Sequence, residues 1–186
     1  MFGTVQSAGA IAAVAGGVLM SAWGGFKRRV HGVLIGWILS GLGMAIVGFT
    51  GGLPVWITGI ALAAIVGALV NASNQAIWQS KIAPDLQGRV FSARRLIAWL
   101  TNPISPLIGG ALADFVLEPA AVAGTGLPHT FSWLVGTGPG SGMGLLIVFC
   151  GAFATLIGIA GYFVYYIRHA ETILPDHDAL PTAEAA

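Results

Sequence analysis

Asn71, Asn74, Gln75, Trp78 and Gln79 crowd into one stretch of an otherwise apolar run, and their types and spacing are what could do chemistry. Asn71, Gln75 and Gln79 recur every fourth residue with Asn74 and Trp78 beside them, so on a helix all five share one face. Amide and indole groups act through hydrogen bonds rather than charge. In lipid such a face must turn toward protein or water. It reads either as the wall of a polar cavity in the cytoplasmic half of the span or as a set of interhelical hydrogen bonds, each worth about 0.6 kcal/mol. In the next apolar run, Asn102-Pro103 and Ser105-Pro106 fall near the expected midplane. Each proline lacks an N–H and crowds the preceding turn. A kink at Pro103 and Pro106 is therefore expected, with carbonyls opened toward a cavity or a neighbour, as in interrupted transporter helices. Asn102 joins the candidate path.

The chain has little else that could react. No Asp, Glu, Lys or His lies at the centre of any apolar run, where ionisable groups usually mark ion or proton pathways. Asp114 is about 28 Å beyond Arg95 along a helix at ~1.5 Å per residue, which places it at the outer interface. His31, His129, His169 and His177 fall in loops or the tail without ligand spacing, and Cys150 is alone, so no metal or cofactor is expected. Intramembrane catalysis needs a nucleophile or an acid pair, and an enzyme is not expected.

The elements that must position these residues follow from composition. Of 186 residues, 56% are apolar, 8% are charged and 28 are glycine, with a mean hydropathy of +0.85. Soluble domains carry about 25% charge, so the solvent is a bilayer. A net charge of +1 gives no reason to invoke nucleic acid. Five apolar runs, at about residues 4–25, 32–51, 53–80, 90–116 and 142–167, predict an all-α, five-span bundle over 1–168 with a polar tail over 169–186. The long segment between the last two runs is expected to be irregular or partly helical at the interface. All 8 basic residues fall on one side of this arrangement, which predicts the N-terminus outside and the C-terminus in the cytoplasm. Glycines 9, 16 and 17 in the first run, 32, 36, 41 and 43 in the second, and 151, 158 and 161 in the fifth would allow close helix contact, Gly32 and Gly36 at the small-xxx-small spacing.

Two inner loops resemble a known family. The stretch from Gly17 through Ser21, Gly24 and Gly25 to Lys27, Arg28 and Arg29 resembles the loop joining the eighth and ninth helices of major facilitator superfamily transporters, the echo of that family's G-x-x-x-D-R-x-G-R-R motif. Ser21 stands at the acidic position, and the basic residues are displaced by two or three places. The stretch from Asn71 through Gln79 and Pro84 to Gly88-Arg89-Val90-Phe91-Ser92 is similar to the segment between helices ten and eleven of macrolide-efflux-like drug exporters. Gly88 is expected to take a loop conformation closed to other residues. Arg89 reads either as a donor to helix C-terminal carbonyls or lipid phosphate or as a plain positive-inside anchor.

The resemblance covers most of the chain as helices eight to twelve of a twelve-helix transporter, the C-terminal half without its first helix. It implies export of an amphipathic small molecule across the plasma (inner) membrane, by proton antiport, with the third and fourth spans lining the path. Such a path works only with the missing N-terminal helices or another copy. The alternative is a five-span accessory or scaffold protein without transport activity, docking through its glycine-rich faces.

Overall fold

The computed structural model describes residues 2–174 and 176–177. Five helices are long and apolar enough to cross a membrane, and the chain is a multi-pass membrane protein. They are α1 (Phe2–Trp23), α2 (Arg29–Val47), α3 (Gly52–Lys81), α4 (Pro84–Leu112) and α8 (Ser141–Phe163). A π-helical turn, Ala113–Leu117, extends α4 into α5 (Glu118–Val122). Short helices α6 (Gly126–Thr130) and α7 (Ser132–Val135) fold the segment before α8, so that stretch is partly helical as its composition suggests. α9 (Tyr165–Arg168) and α10 (Ala170–Ile173) begin the tail, whose residues 175 and 178–186 lie outside the described part.

Local chemistry sets the helix ends. α1 stops at Trp23 because Gly24 and Gly25 follow with φ of 77° and 79°, a left-handed turn that glycine adopts without strain. Pro84 opens α4 at its first position with Asp85 in the first turn, where a missing N–H costs nothing and a carboxylate suits the helix dipole. The helix therefore starts earlier than the apolar run, near residue 90, suggests. Gly88 and Arg89, expected in a loop, sit inside it. The helix also continues through Pro103 and Pro106 without interruption.

α2 is the centre of the bundle, and glycine is the reason two neighbours can reach it. A Cβ added at Gly41 would lie 2.6 Å from the Gly151 carbonyl oxygen, and one at Gly48 would meet Gly144. A Cβ at Gly158 would stand 3.1 Å from the Leu34 carbonyl oxygen. These partners run in opposite senses, so α2 and α8 are antiparallel, with α8 offering glycine once per heptad at 144, 151 and 158. On another face of α2, a Cβ at Gly43 would lie 2.9 Å from the Gly59 carbonyl oxygen of α3. There too, Gly36 faces Val70 and Gly32 faces Ser73. α1 packs on α3 in parallel, Gly9 beside Ile60 and Gly16 against the Ile65 backbone.

α4 stands apart. It has no buried residue, and every residue from 95 to 108 is exposed. Its C-terminal continuation is anchored where Leu117 meets Val135 and the fully buried Leu145. Its N-terminal end is tied to α3, as described below.

The α2–α8 seam should resist added volume. Gly41→Val should cost about 1–3 kcal/mol of bundle stability, seen as a lower thermal unfolding temperature in micelles. Gly17→Val, where a Cβ meets nothing within 4 Å, should leave it unchanged. Equal effects from the two substitutions would remove the seam from the account of what holds the bundle together.

Candidate functional site

The polar stretch lies on the last turns of α3. Ser73 on one side of the helix is buried at 2% exposure, against Gly32 of α2. Asn71, Gln75, Trp78 and Gln79 are exposed on the side that α1 and α2 leave free, with Asn74 half-buried beside them. The shared face is therefore present, and among the described residues only the start of α4, through Arg94, reaches it, at Trp78. Asn71 donates its amide to the Gly67 carbonyl at 2.9 Å and borders a cavity of about 270 Å3 between α2, α3 and Ala154 of α8. Trp78 Nε1–H donates to Asn74 Oδ1 at 3.0 Å.

Arg94 of α4 places its guanidinium 5.2 Å from the Trp78 ring centre, a cation–π contact across the α3–α4 gap. Asn74, Trp78 and the start of α4 are thus brought together. Asn102 is not: it is exposed in the free middle of α4, and its side chain makes no hydrogen bond among the described residues. Around it, Thr101 Oγ1 donates to Ala98 O at 2.7 Å and Ser105 Oγ to Thr101 O at 2.9 Å, so local hydroxyls turn back onto the helix rather than across to α3.

The carbonyls at the end of α3 are bonded by residues other than Arg89, which is exposed on α4. Arg29 Nη1 donates to Ala76 O at 2.7 Å, and Gln87 Nε2 donates to Ile82 O at 2.9 Å and Gln79 O at 3.2 Å. Position explains the exchange. Once α4 begins at Pro84, Gln87 lies in the turn that faces the end of α3, whereas Arg29 leans over from the start of α2. Lys27 and Arg28 stay exposed in the turn before α2.

The tail closes on the same end. Glu171 accepts the Arg29 and Val30 amides at 3.0 and 3.4 Å, satisfying donors that the first turn of α2 leaves unpaired. Lys81 Nζ donates to Glu171 O at 2.8 Å, also bonds Leu174 O, and pairs with Asp176 at 2.8 Å. His177 Nδ1 lies 3.0 Å from Ser80 O. The hydrogen bond from Lys81 is the main reason that the Asp176 carboxyl is held below its ordinary range.

At the opposite end Glu118 does for α8 what Glu171 does for α2, accepting the Gly142 amide at 3.1 Å and bonding the Gly140 amide. Sequence reasoning passed over both roles. The available signal was that helices α2 and α8 begin with no acidic residue in their first turn, so a carboxylate supplied from elsewhere in the chain could serve them. His31 stacks on Tyr162 at 5.8 Å, and Cys150 is exposed and free. Among the described residues no group of three or more His, Cys, Asp or Glu could hold a metal.

No protein-family model, curated protein or solved structure matches the chain.

The tail contact carries a pH signature. Because Asp176 is lowered in the docked state, docking is favoured above the ordinary carboxylate range and weakens as pH falls through the depressed value. Protection of the amides in residues 170–174, taken as the exchange rate relative to the intrinsic rate at each pH, should therefore fall on acidification below about pH 4 and be little changed between neutral pH and 5. In Lys81→Gln that protection should be low throughout and lose this dependence. A dependence that survives Lys81→Gln would assign the titration to another group.

Proposed function

We propose that the chain is the C-terminal part of a major-facilitator-type secondary transporter that exports an amphipathic small molecule by proton antiport, with further transmembrane helices completing the path. The observation that carries this reading is the uncovered polar face of α3. Asn71, Gln75 and Gln79 are exposed on a helix with the composition of a membrane span. A polar face of this kind has to meet protein or water rather than hydrocarbon, so it belongs beside a path or a partner helix. The bare stretch of α4 from 95 to 108 supplies a second free surface next to it, as expected of a half that rocks against another half around a central site.

The scaffold reading fits less well. A scaffold docking through its glycines needs them on its surface, yet Gly16, Gly36, Gly41, Gly43, Gly151 and Gly158 face helices of this same chain, which leaves Gly17, Gly67 and Gly110 among the open glycines of the spanning helices. Orientation is supported by the clustering of basic residues. Arg29 and Lys81 meet at the end of the bundle where the tail folds back, and Lys27, Arg28, Arg89, Arg94, Arg95 and Arg168 belong to the segments at that end. By the positive-inside preference this end is cytoplasmic.

In cells lacking their major exporters, the chain expressed with its companion helices should drive efflux of a fluorescent amphipathic cation. Asn71→Leu, Gln75→Leu and Gln79→Leu together should slow that efflux by roughly tenfold or more while the protein still assembles in the membrane. Unchanged efflux would take the substrate path away from α3. A stable complex with a partner and no efflux from either form would favour the scaffold.

A further inference from the structure

At the end of the bundle away from the polar face, the outer ends of α1, α2, α3 and α8 and the loop after α7 enclose a cavity of about 880 Å3. This falls within the range that takes a drug-sized molecule, ~300–1,000 Å3. Its apolar lining includes Val47, Ile60, Met143 and Ile147, and its wall includes the backbone contact between Gly48 and Gly144. Among the described residues no charged side chain lines it. Glu118, nearby, has its carboxylate on the Gly140 and Gly142 amides.

The polar groups in the wall differ in what they have left to offer. Thr50 Oγ1 donates to Leu134 O at 3.2 Å, and Ser141 Oγ donates to Gly138 O at 2.7 Å. Gln6 and the Trp56 indole N–H, both lining the cavity, make no hydrogen bond among the described residues. The parallel register that sets Gly9 beside Ile60 brings Gln6 level with Trp56, one turn nearer the outer surface. Two unused donors and an amide oxygen thus sit over an apolar chamber.

We propose that this cavity binds an uncharged amphiphile, its apolar body among Val47, Ile60, Met143 and Ile147 and its hydroxyl, carbonyl or amide head at Trp56 and Gln6. A charged head would lose its hydration with no counter-charge in the wall. The site is separate from the α3 face, and binding there does not depend on the transport reading.

The test uses the full chain in phosphatidylcholine nanodiscs with a diazirine-bearing dodecanol as probe, and photolabelled peptides are mapped by mass spectrometry. Saturable labelling is expected on the segments holding Gln6, Trp56 and Met143. Dodecyltrimethylammonium and dodecanoate should compete about tenfold more weakly than dodecanol. Trp56→Phe should weaken labelling about threefold or more, and Ile147→Trp, which puts a bulky ring into the apolar lining, should weaken it by a similar factor. Should Ile147→Trp fail to fold, Trp56→Phe and the charged competitors still decide. Displacement by aqueous octanol would make the natural occupant a dissolved solute. Displacement only by diacylglycerol in the disc would make it a bilayer lipid. Labelling that merely follows exposure, as heavy on residues 95–108 as on the cavity, or equal competition by the charged analogues, or displacement by neither neutral compound, would overturn the proposal.

Discussion

The structure depends on backbone meeting backbone along α2. In a bilayer the lipid tails are as apolar as leucine, so helices gain little by hiding apolar side chains from one another and gain instead by close packing. α2 meets this constraint with glycines on two faces, Gly43 toward α3, and Gly41 and Gly48 toward α8. From that pair of contacts the rest follows. α1 rides on α3 through Gly16, the polar arc of α3 is turned away from α2 by the burial of Ser73, and α4, with no buried residue, is left to the edge. A compact four-helix unit with one detached helix is what small residues on α1, α2, α3 and α8, and large apolar ones along α4, should produce.

The two described glutamates fasten the ends of this unit. Each carboxylate sits on the free amides of a helix that begins with no acidic residue of its own, Glu171 on α2 and Glu118 on α8. The arrangement suits the partial positive charge at a helix N-terminus. It also ties the tail and the outer segment to the central α2–α8 pair. The one end gathers Lys81, Arg29 and the tail beside the polar residues of α3. The other builds a chamber with no charge in its wall. The two ends of the molecule therefore offer different chemistry to the two sides of the membrane.

Much of this was legible from residue order. Five apolar runs of spanning length give five spanning helices, because in lipid the length of an apolar run nearly dictates a helix. The shared face of Asn71, Gln75 and Gln79 was legible for the same reason, being a property of helical period alone. The start of α4 was not, because Pro84 to Arg89 is polar and helical at once, and an apolar count sees only the polarity. The carbonyls at the end of α3 take their bonds from Gln87 and Arg29 rather than from Arg89, since the choice rests on where α4 begins. The caps by Glu118 and Glu171 join residues 22 to 142 positions apart, and such pairing depends on tertiary proximity that no local pattern carries. The chamber is built by turns around Gly51, Gly136 and Gly140, where composition announces a loop but not the space that it borders.

The central claim is that the free face of α3 borders an aqueous path. Asn71 lies about 15 Å along the helix from Lys81 at ~1.5 Å per residue, deep enough that water reaches it only through such a path. The direct measurement is the reactivity of a single cysteine at position 71, in a Cys150→Ala background, toward a membrane-impermeant thiol reagent in inside-out vesicles containing the assembled protein. The account predicts reaction at a rate within about tenfold of a cysteine at the exposed Arg28, and no reaction from a cysteine at the buried Ser73. A residue-71 cysteine as inert as one at Ser73 would contradict it, and would make the polar face a seam sealed against protein rather than the wall of a path.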